Sequence, residues 1–225
     1  MINEFIMQFY QTAIVFGATG LVGRQLVLEL IQHTGYTRIK VFTRRKLDFE
    51  HEKVHEIVTD FNDWDKISNA MTGEAVFCCI GTTLKKAGSK DAFRKIDYDL
   101  TIKIAELTHV KGIGKFAVIS SIGANHNSSN FYLRTKGEME KKVKTIPIDK
   151  KIIVRPSFLL GDRKEFRLLE QLAKTLFYVF GFSFVGRLKK YKGVKATQVA
   201  NAMIKLLERK DDKVIFESDE LVCVI

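Results

Sequence analysis

Proline, tryptophan and cysteine are scarce: the chain has two prolines, one tryptophan and three cysteines in 225 residues. So little proline excludes a chain made of extended linkers or polyproline segments. Cys78, Cys79 and Cys223 lack the spacing of a metal cage or a disulfide framework. Neighbouring strand side chains point to opposite faces, so Cys78 and Cys79 are not expected to bridge. The count suits a reducing compartment, and a cytoplasmic location is expected. Long hydrophobic runs are also missing. The longest, residues 176–185, is interrupted by Gly181 and Ser183 and is about half a membrane span. The first ten residues carry Glu4 and no basic cluster, so no secretory leader is expected. The five histidines show no ligand spacing, and no metal site is expected.

What is present is an ordinary globular balance, 46% hydrophobic and 28% charged, with a net charge of +11. The basic residues are scattered. They show neither zinc-finger spacing nor interleaving with aromatics, so nucleic acid is not an expected partner. Strand and helix patterns alternate along the chain. Residues 12–16, 38–43, 54–59, 75–80, 116–120 and 152–154 read as strands, and 21–31, 91–110 and 199–207 as helices. Thr197 is the expected N-cap of the last helix. Residues 214–216 and 221–225 read as closing strands. Apolar strands without alternation are buried on both faces, and strands separated by helices imply right-handed crossovers. The expected architecture is a doubly wound α/β domain with a parallel sheet, one domain over residues 1–225. The less regular residues 158–195 would form a small lobe over the sheet's C-terminal edge, where such folds bind ligands.

The first strand runs into Gly17-Ala18-Thr19-Gly20-Leu21-Val22-Gly23-Arg24. This is a G-x-x-G-x-x-G variant of the dinucleotide fingerprint. Gly17 permits a sharp turn, Gly20 clears space for a pyrophosphate, and Gly23 lets the helix approach the strand. The helix's first N–H groups then face the phosphates. At the end of the second strand an NAD site usually carries an acidic residue, but this chain has Thr43-Arg44-Arg45-Lys46. A guanidinium forks onto a 2′-phosphate, so Arg44 and Arg45, with Arg24 within reach, point to NADPH. Asp60 and Phe61 after the third strand are expected to flank the adenine. Ile80, Gly81 and Thr82 after the fourth are expected along the adenosine ribose.

Y-x-x-x-K occurs three times, as Tyr36/Lys40, Tyr132/Lys136 and Tyr191/Lys195. On a helix, residues four apart share a face, so the ammonium lies beside the phenol. Such a pair suits a residue that protonates a carbonyl as hydride arrives. Only Tyr132/Lys136 opens a helical segment after the fifth strand. That strand ends in Ser120-Ser121, whose hydroxyls can reach the same oxygen; Ser121 is the first choice and Ser120 the alternate.

With these residues in view, the chain resembles the atypical short-chain dehydrogenase/reductases. It is most similar to the NmrA-like branch that includes the Tat-interacting oxidoreductase of animals and its bacterial relatives. The matching stretches are GATGLVGR, FTRRKLDF, FCCIGTTLKKAG, ISSIGA, SSNFYLRTKGE and VRPSFLLGDR. The resemblance implies a Rossmann fold with NADPH. It places Thr19 to Val22 on the pyrophosphate, Arg44 and Arg45 on the 2′-phosphate, and Ile80 and Gly81 beside the adenosine. Tyr132 and Lys136 would hold the nicotinamide ribose; Pro156, Leu159 and Arg167 would close over the cofactor. Many members carry an asparagine that completes a proton relay, and the nearest residue here is Asp97. The implied activity is an NADPH-dependent oxidoreductase of a small carbonyl or hydroxyl substrate, with Ser121, Tyr132 and Lys136 catalytic. The alternative is an NADPH-binding, redox-sensing regulator without robust turnover. A homo-oligomer or a protein partner is compatible with either.

Overall fold

The computed structural model describes residues 11–160 and 193–224. Strand β1 (Gln11–Phe16) is followed by helix α1 (Leu21–Gln32), strands β2 (Tyr36–Thr43) and β3 (Val54–Val58), and helix α2 (Trp64–Ala70). Then come β4 (Ala75–Cys78), α3 (Leu84–Ala87), α4 (Lys90–Arg94), a π-helical segment (Lys95–Leu100) and α5 (Thr101–Val110). β5 (Lys115–Ile119), α6 (Phe131–Thr145) and β6 (Lys150–Arg155) complete the central part. The C-terminal part holds β7 (Leu159–Leu160), β8 (Val194–Lys195), α7 (Ala196–Glu208), β9 (Ile215–Glu217) and α8 (Ser218–Cys223).

The sheet has the order β3-β2-β1-β4-β5-β6-β9, and every pairing in it is parallel. This is the doubly wound, Rossmann-type arrangement expected from the alternating pattern. Strand order reverses between β1 and β4, so a crevice opens above their C-terminal ends. The reason lies in β1: Ala13, Ile14, Val15 and Phe16 are all fully buried. Ala13 and Val15 pack into one core layer with Leu26 and Leu30 of α1 and Val199 and Met203 of α7. Ile14 and Phe16 pack into the other with Ile67 of α2, Ile104 of α5 and Met139 of α6. An alternating strand buried on both faces needs helices on both.

Several local expectations change. The N-cap of α7 is Lys195 rather than Thr197; the Lys195 N–H donates to the Gln198 side chain at 3.0 Å, which starts the helix two residues earlier. The described part of the 221–225 run is helical rather than extended. The Glu217 N–H donates to Glu220 Oε2 at 3.0 Å, and this local bond outweighs the β preference of the valines. The short helices α2, α3 and α4 have side-chain caps at Asp63, Thr83 and Ser89. Of the expected small lobe, β7 pairs with β8, while residues 161–192 lie outside the described residues.

Candidate active site

The turn after β1 is built for close approach. Gly17 has φ +85°, and a Cβ there would lie 2.6 Å from the Cys79 carbonyl at the end of β4. A Cβ on Gly23 would lie 2.2 Å from the Gly17 oxygen. Both positions therefore exclude a side chain. The Gly20 N–H donates to Gly17 O at 3.0 Å, and Gly20 is the N-cap of α1 with no side-chain cap bond. The first N–H groups of α1 are thus left for a ligand.

This turn forms one wall of a cleft of about 790 Å³. The cleft brings together Gly17, Thr19, Gly20, Arg44, Arg45, Asp60, Phe61, Ile80, Gly81 and Thr82 from four strand ends. Thr43 Oγ1 donates to Arg45 O at 2.8 Å and so shapes the arginine turn. Arg44 and Arg45 have no ion pair with any other described residue. Phe61 has φ +66°, an uncommon conformation for a bulky residue. Asp60 supports it from beside the turn, accepting from the Asn62 N–H at 2.9 Å. Hydrogen bonds from Asn62 hold the Asp60 carboxyl below the usual carboxylate range.

Other expected residues lie off this lining. Leu21, Val22 and Gly23 form the first turn of α1, with Val22 and Gly23 buried. Arg24 lines a smaller recess beside the cleft. Arg167 lies outside the described residues. Ser121, Tyr132, Pro156 and Leu159 do not line the cleft; Ser121 follows β5, Tyr132 is on α6, Pro156 follows β6 and Leu159 is in β7.

Lys136 joins the two regions. A Cβ on Gly81 would lie 3.4 Å from Asp97 Oδ1 and 3.8 Å from Lys136 Nζ, so both sit directly behind the cleft wall. Lys136 Nζ is 2.7 Å from Asp97 Oδ1. Asp97 is fully buried and Lys136 is 4% exposed. The Thr82 N–H donates to Asp97 Oδ2 at 2.9 Å, tying the carboxylate to the loop after β4. Burial pulls the Lys136 ammonium down, while Asp97 and then Tyr132 push it up, and the net direction is up. Tyr132 stands one helical turn before Lys136 on α6, half-buried, with its ring centroid 5.5 Å from that of Phe93.

The two serines after β5 differ in their hydrogen bonds. Ser120 Oγ donates to buried Glu140 at 2.5 Å, inside a network with Arg155 and Glu217. Ser121 Oγ donates only a long 3.3 Å bond, to Ile122 O. Ser120 is thus engaged within the fold, while Ser121 makes the weaker bond of the two. Cys79 lines the cleft, but burial pushes its thiol well up, and burial pushes Cys78 up to about 11. Neither is a thiolate at neutral pH.

Sequence reading missed several lining residues: Thr43, Asn62, Trp64, Lys86, Lys95, Ile96, Asp99, Leu100 and Lys103. A signal existed in the four-residue spacings Lys95–Asp99–Lys103 and Ile96–Leu100, which put each set on one helix face. Lys103 Nζ lies 4.1 Å from the Trp64 ring centroid. Gly137 was also missed. A Cβ there would lie 2.2 Å from the His126 N, so α6 packs directly on the backbone of the loop after β5.

A family model described as NAD(P)H-binding matches residues 17–210. Protein HTATIP2 of Rattus norvegicus is 39% identical over 179 residues, which cover 78% of this chain and 73% of that protein. Protein FMP52-1, mitochondrial, of Scheffersomyces stipitis is 34% identical over 220 residues, covering 93% and 96%. Among solved structures, a short chain dehydrogenase family protein from Francisella tularensis superposes with a TM-score of 0.63 at 15% identity, covering 89% of this chain and 92% of that one. That likeness shows the fold. The cytoplasmic expectation is overturned by the FMP52 relatives, which are named as mitochondrial in three yeasts. A cysteine count reports a reducing environment and does not distinguish between reducing compartments. Among the described residues, no helix is long and apolar enough to cross a membrane. With residues 17–210 matched and relatives above 30% identity along most of its length, the chain belongs to the NAD(P)H-binding family, on a Rossmann-type fold.

Proposed function

We propose that the protein is an NADPH-dependent oxidoreductase acting on a small carbonyl or hydroxyl substrate. The observation that carries this reading is the buried Lys136–Asp97 pair behind Gly81, one helical turn from Tyr132, at the edge of a cleft that also presents Arg44 and Arg45. The residues fit a dinucleotide. The glycine turn leaves no room for a Cβ at Gly17 and Gly23, and the start of α1 has no side-chain cap. Thr19 to Val22 would hold the pyrophosphate with backbone N–H groups, and Arg44 with Arg45 would fork onto the 2′-phosphate. Phe61 and Asp60 would flank the adenine; Ile80, Gly81 and Thr82 would line its ribose. Pro156 and Leu159 belong to the edge that would close over the nicotinamide end.

The bound cofactor supplies a hydride. Tyr132 donates its phenolic proton to the substrate oxygen, and Ser121 orients that oxygen through its hydroxyl. Lys136 stays charged beside the phenol because Asp97 offsets its burial. A specific feature favours a second reading, a sensor of NADPH without robust turnover. The Asp97 carboxylate offsets the very charge that Lys136 would bring to bear on Tyr132.

Trp64 is the chain's one tryptophan and lines the cleft, so its fluorescence reports occupancy. Paired titrations with NADPH and NADH at one ionic strength should show tighter NADPH binding. Arg44→Ala should weaken NADPH at least about tenfold and NADH about twofold or less; equal losses would sink the cofactor assignment. In a screen of aldehydes, ketones and quinones, Tyr132→Phe should keep NADPH binding and lose about a hundredfold or more in turnover. Full turnover in that variant would remove the mechanism, and a wild type that binds NADPH yet reduces nothing would favour the sensor.

A further inference from the structure

Beside the cleft, between the start of α1 and the loop after β2, lies a recess of about 270 Å³. It shares Thr19 and Arg45 with the cleft, and Arg24, Lys46 and Asp48 also line it. Three cations therefore share the recess with one carboxylate, and Arg24 is the one that bonds it. Arg24 Nη1 lies 2.5 Å from each Asp48 oxygen, and the guanidinium sits 5.6 Å from the Phe49 ring centroid. Both carboxylate oxygens take the same nitrogen, Nη1, a donor that an arriving oxyanion would also seek.

We propose that Asp48 is a built-in competitor for the 2′-phosphate, holding Arg24 in the ligand-free protein and so setting how strongly NADPH is preferred over NADH. The inference rests on the reading that Arg44 and Arg45 receive that phosphate. Arg24 cannot give the same donors to a carboxylate and a phosphate at once. The Asp48 side chain is 66% exposed and is free to swing into water, while the Leu47 N–H, bonded to Glu56 Oε2 at 3.0 Å, holds the loop backbone. The hydrogen bond from Arg24 keeps the Asp48 carboxyl below the usual carboxylate range, so it is charged at neutral pH. A 2′-phosphate arriving here meets both a competitor for Arg24 and a like charge within a Debye length. NADH carries only an uncharged 2′-hydroxyl at that position, which neither competes for Arg24 as an anion nor meets a like charge.

The test is Asp48→Asn, titrated beside the wild type with NADPH, NADH and adenosine 2′,5′-bisphosphate through Trp64 fluorescence at low ionic strength. Both 2′-phosphate ligands should bind about three- to tenfold tighter to the variant, NADH should change by less than about twofold, and added salt should shrink the gain. An unchanged NADPH-to-NADH ratio in a protein that does prefer NADPH overturns the role of Asp48 and leaves the cofactor reading standing. Weaker NADPH binding also overturns it, because Asp48 would then be holding Arg24 in place for the phosphate. A wild type with no NADPH preference overturns the cofactor reading and this inference together. The site is exposed, so the variant folds as the wild type does.

Discussion

Asp97 and Lys136 occupy a space from which water is excluded, and each makes the other tolerable there. Removing one partner strands the other. Asp97→Ala should cost about 3–5 kcal/mol in urea unfolding, because an uncompensated ammonium stays buried. Asp97→Asn keeps the shape and one acceptor and should cost less. The pair also gives stability a pH signature. The Lys136 ammonium is held above its ordinary value of 10.5, so the folded state binds its proton more tightly than the unfolded chain. That contribution is complete below the ordinary lysine value and fades as pH rises through the raised one. Thermal melts from pH 7 to 11 should show the wild type holding its stability to about pH 10 and Asp97→Asn declining earlier; coincident curves would deny the coupling. In the sequence, the Tyr132–Lys136 spacing and the glycine turn were legible because each is local. Asp97 entered only through family resemblance. Its burial depends on the π-helical segment and on Lys136, 39 positions further along the chain, which no local pattern encodes.

At the level of elements, α6 and the loop after β5 form one unit. Gly137 lets the helix rest on the loop backbone at Asn125 and His126. Gly137→Ala puts a methyl against backbone that has no flexible end to give way, so the loop must move. The melting temperature should fall by an amount equivalent to about 1–3 kcal/mol. In the proposed reading the adenosine end of NADPH, held by the other half of the sheet, dominates its affinity, so binding should change by less than about twofold. A variant as stable as wild type would show that the loop yields freely. Apolar runs made the strands and the longer helices readable. Leu221 to Cys223 misled because valine-rich sequence favours strands, while the Glu217–Glu220 bond is made within one turn. Helix α2 was passed over because seven residues are too few to display a period, although its Asp63 cap was in plain view.

Across the whole molecule, Arg155 ties the far edge of the sheet to α6 and the loop after β5. It bonds Glu140 of α6 at 2.9 and 2.6 Å, Glu217 of β9 at 2.8 Å and the Ala124 carbonyl at 3.1 Å. Arg155→Met should leave two part-buried or buried carboxylates without their cation and cost about 3–5 kcal/mol. Hydrogen exchange should report faster opening at residues 215–217 than at β1; equal rates there would place the loss elsewhere. The alternation of strand and helix patterns pointed to a doubly wound sheet, but not to this network, whose bonded partners are separated by up to 62 positions in sequence.

The two halves of the sheet meet along β1 and β4, through four register pairs from Ala13–Ala75 to Phe16–Cys78, all buried. Where that seam ends, the Gly17 turn lies against the Cys79 carbonyl with no space for a methyl. A joint stitched this closely does not act as a hinge. The floor of the cleft keeps one width whether or not anything lies on it, and only the rim is left to adapt. Selection at the floor is made by rigid backbone before a ligand arrives, and whatever opening and closing the protein performs takes place above it.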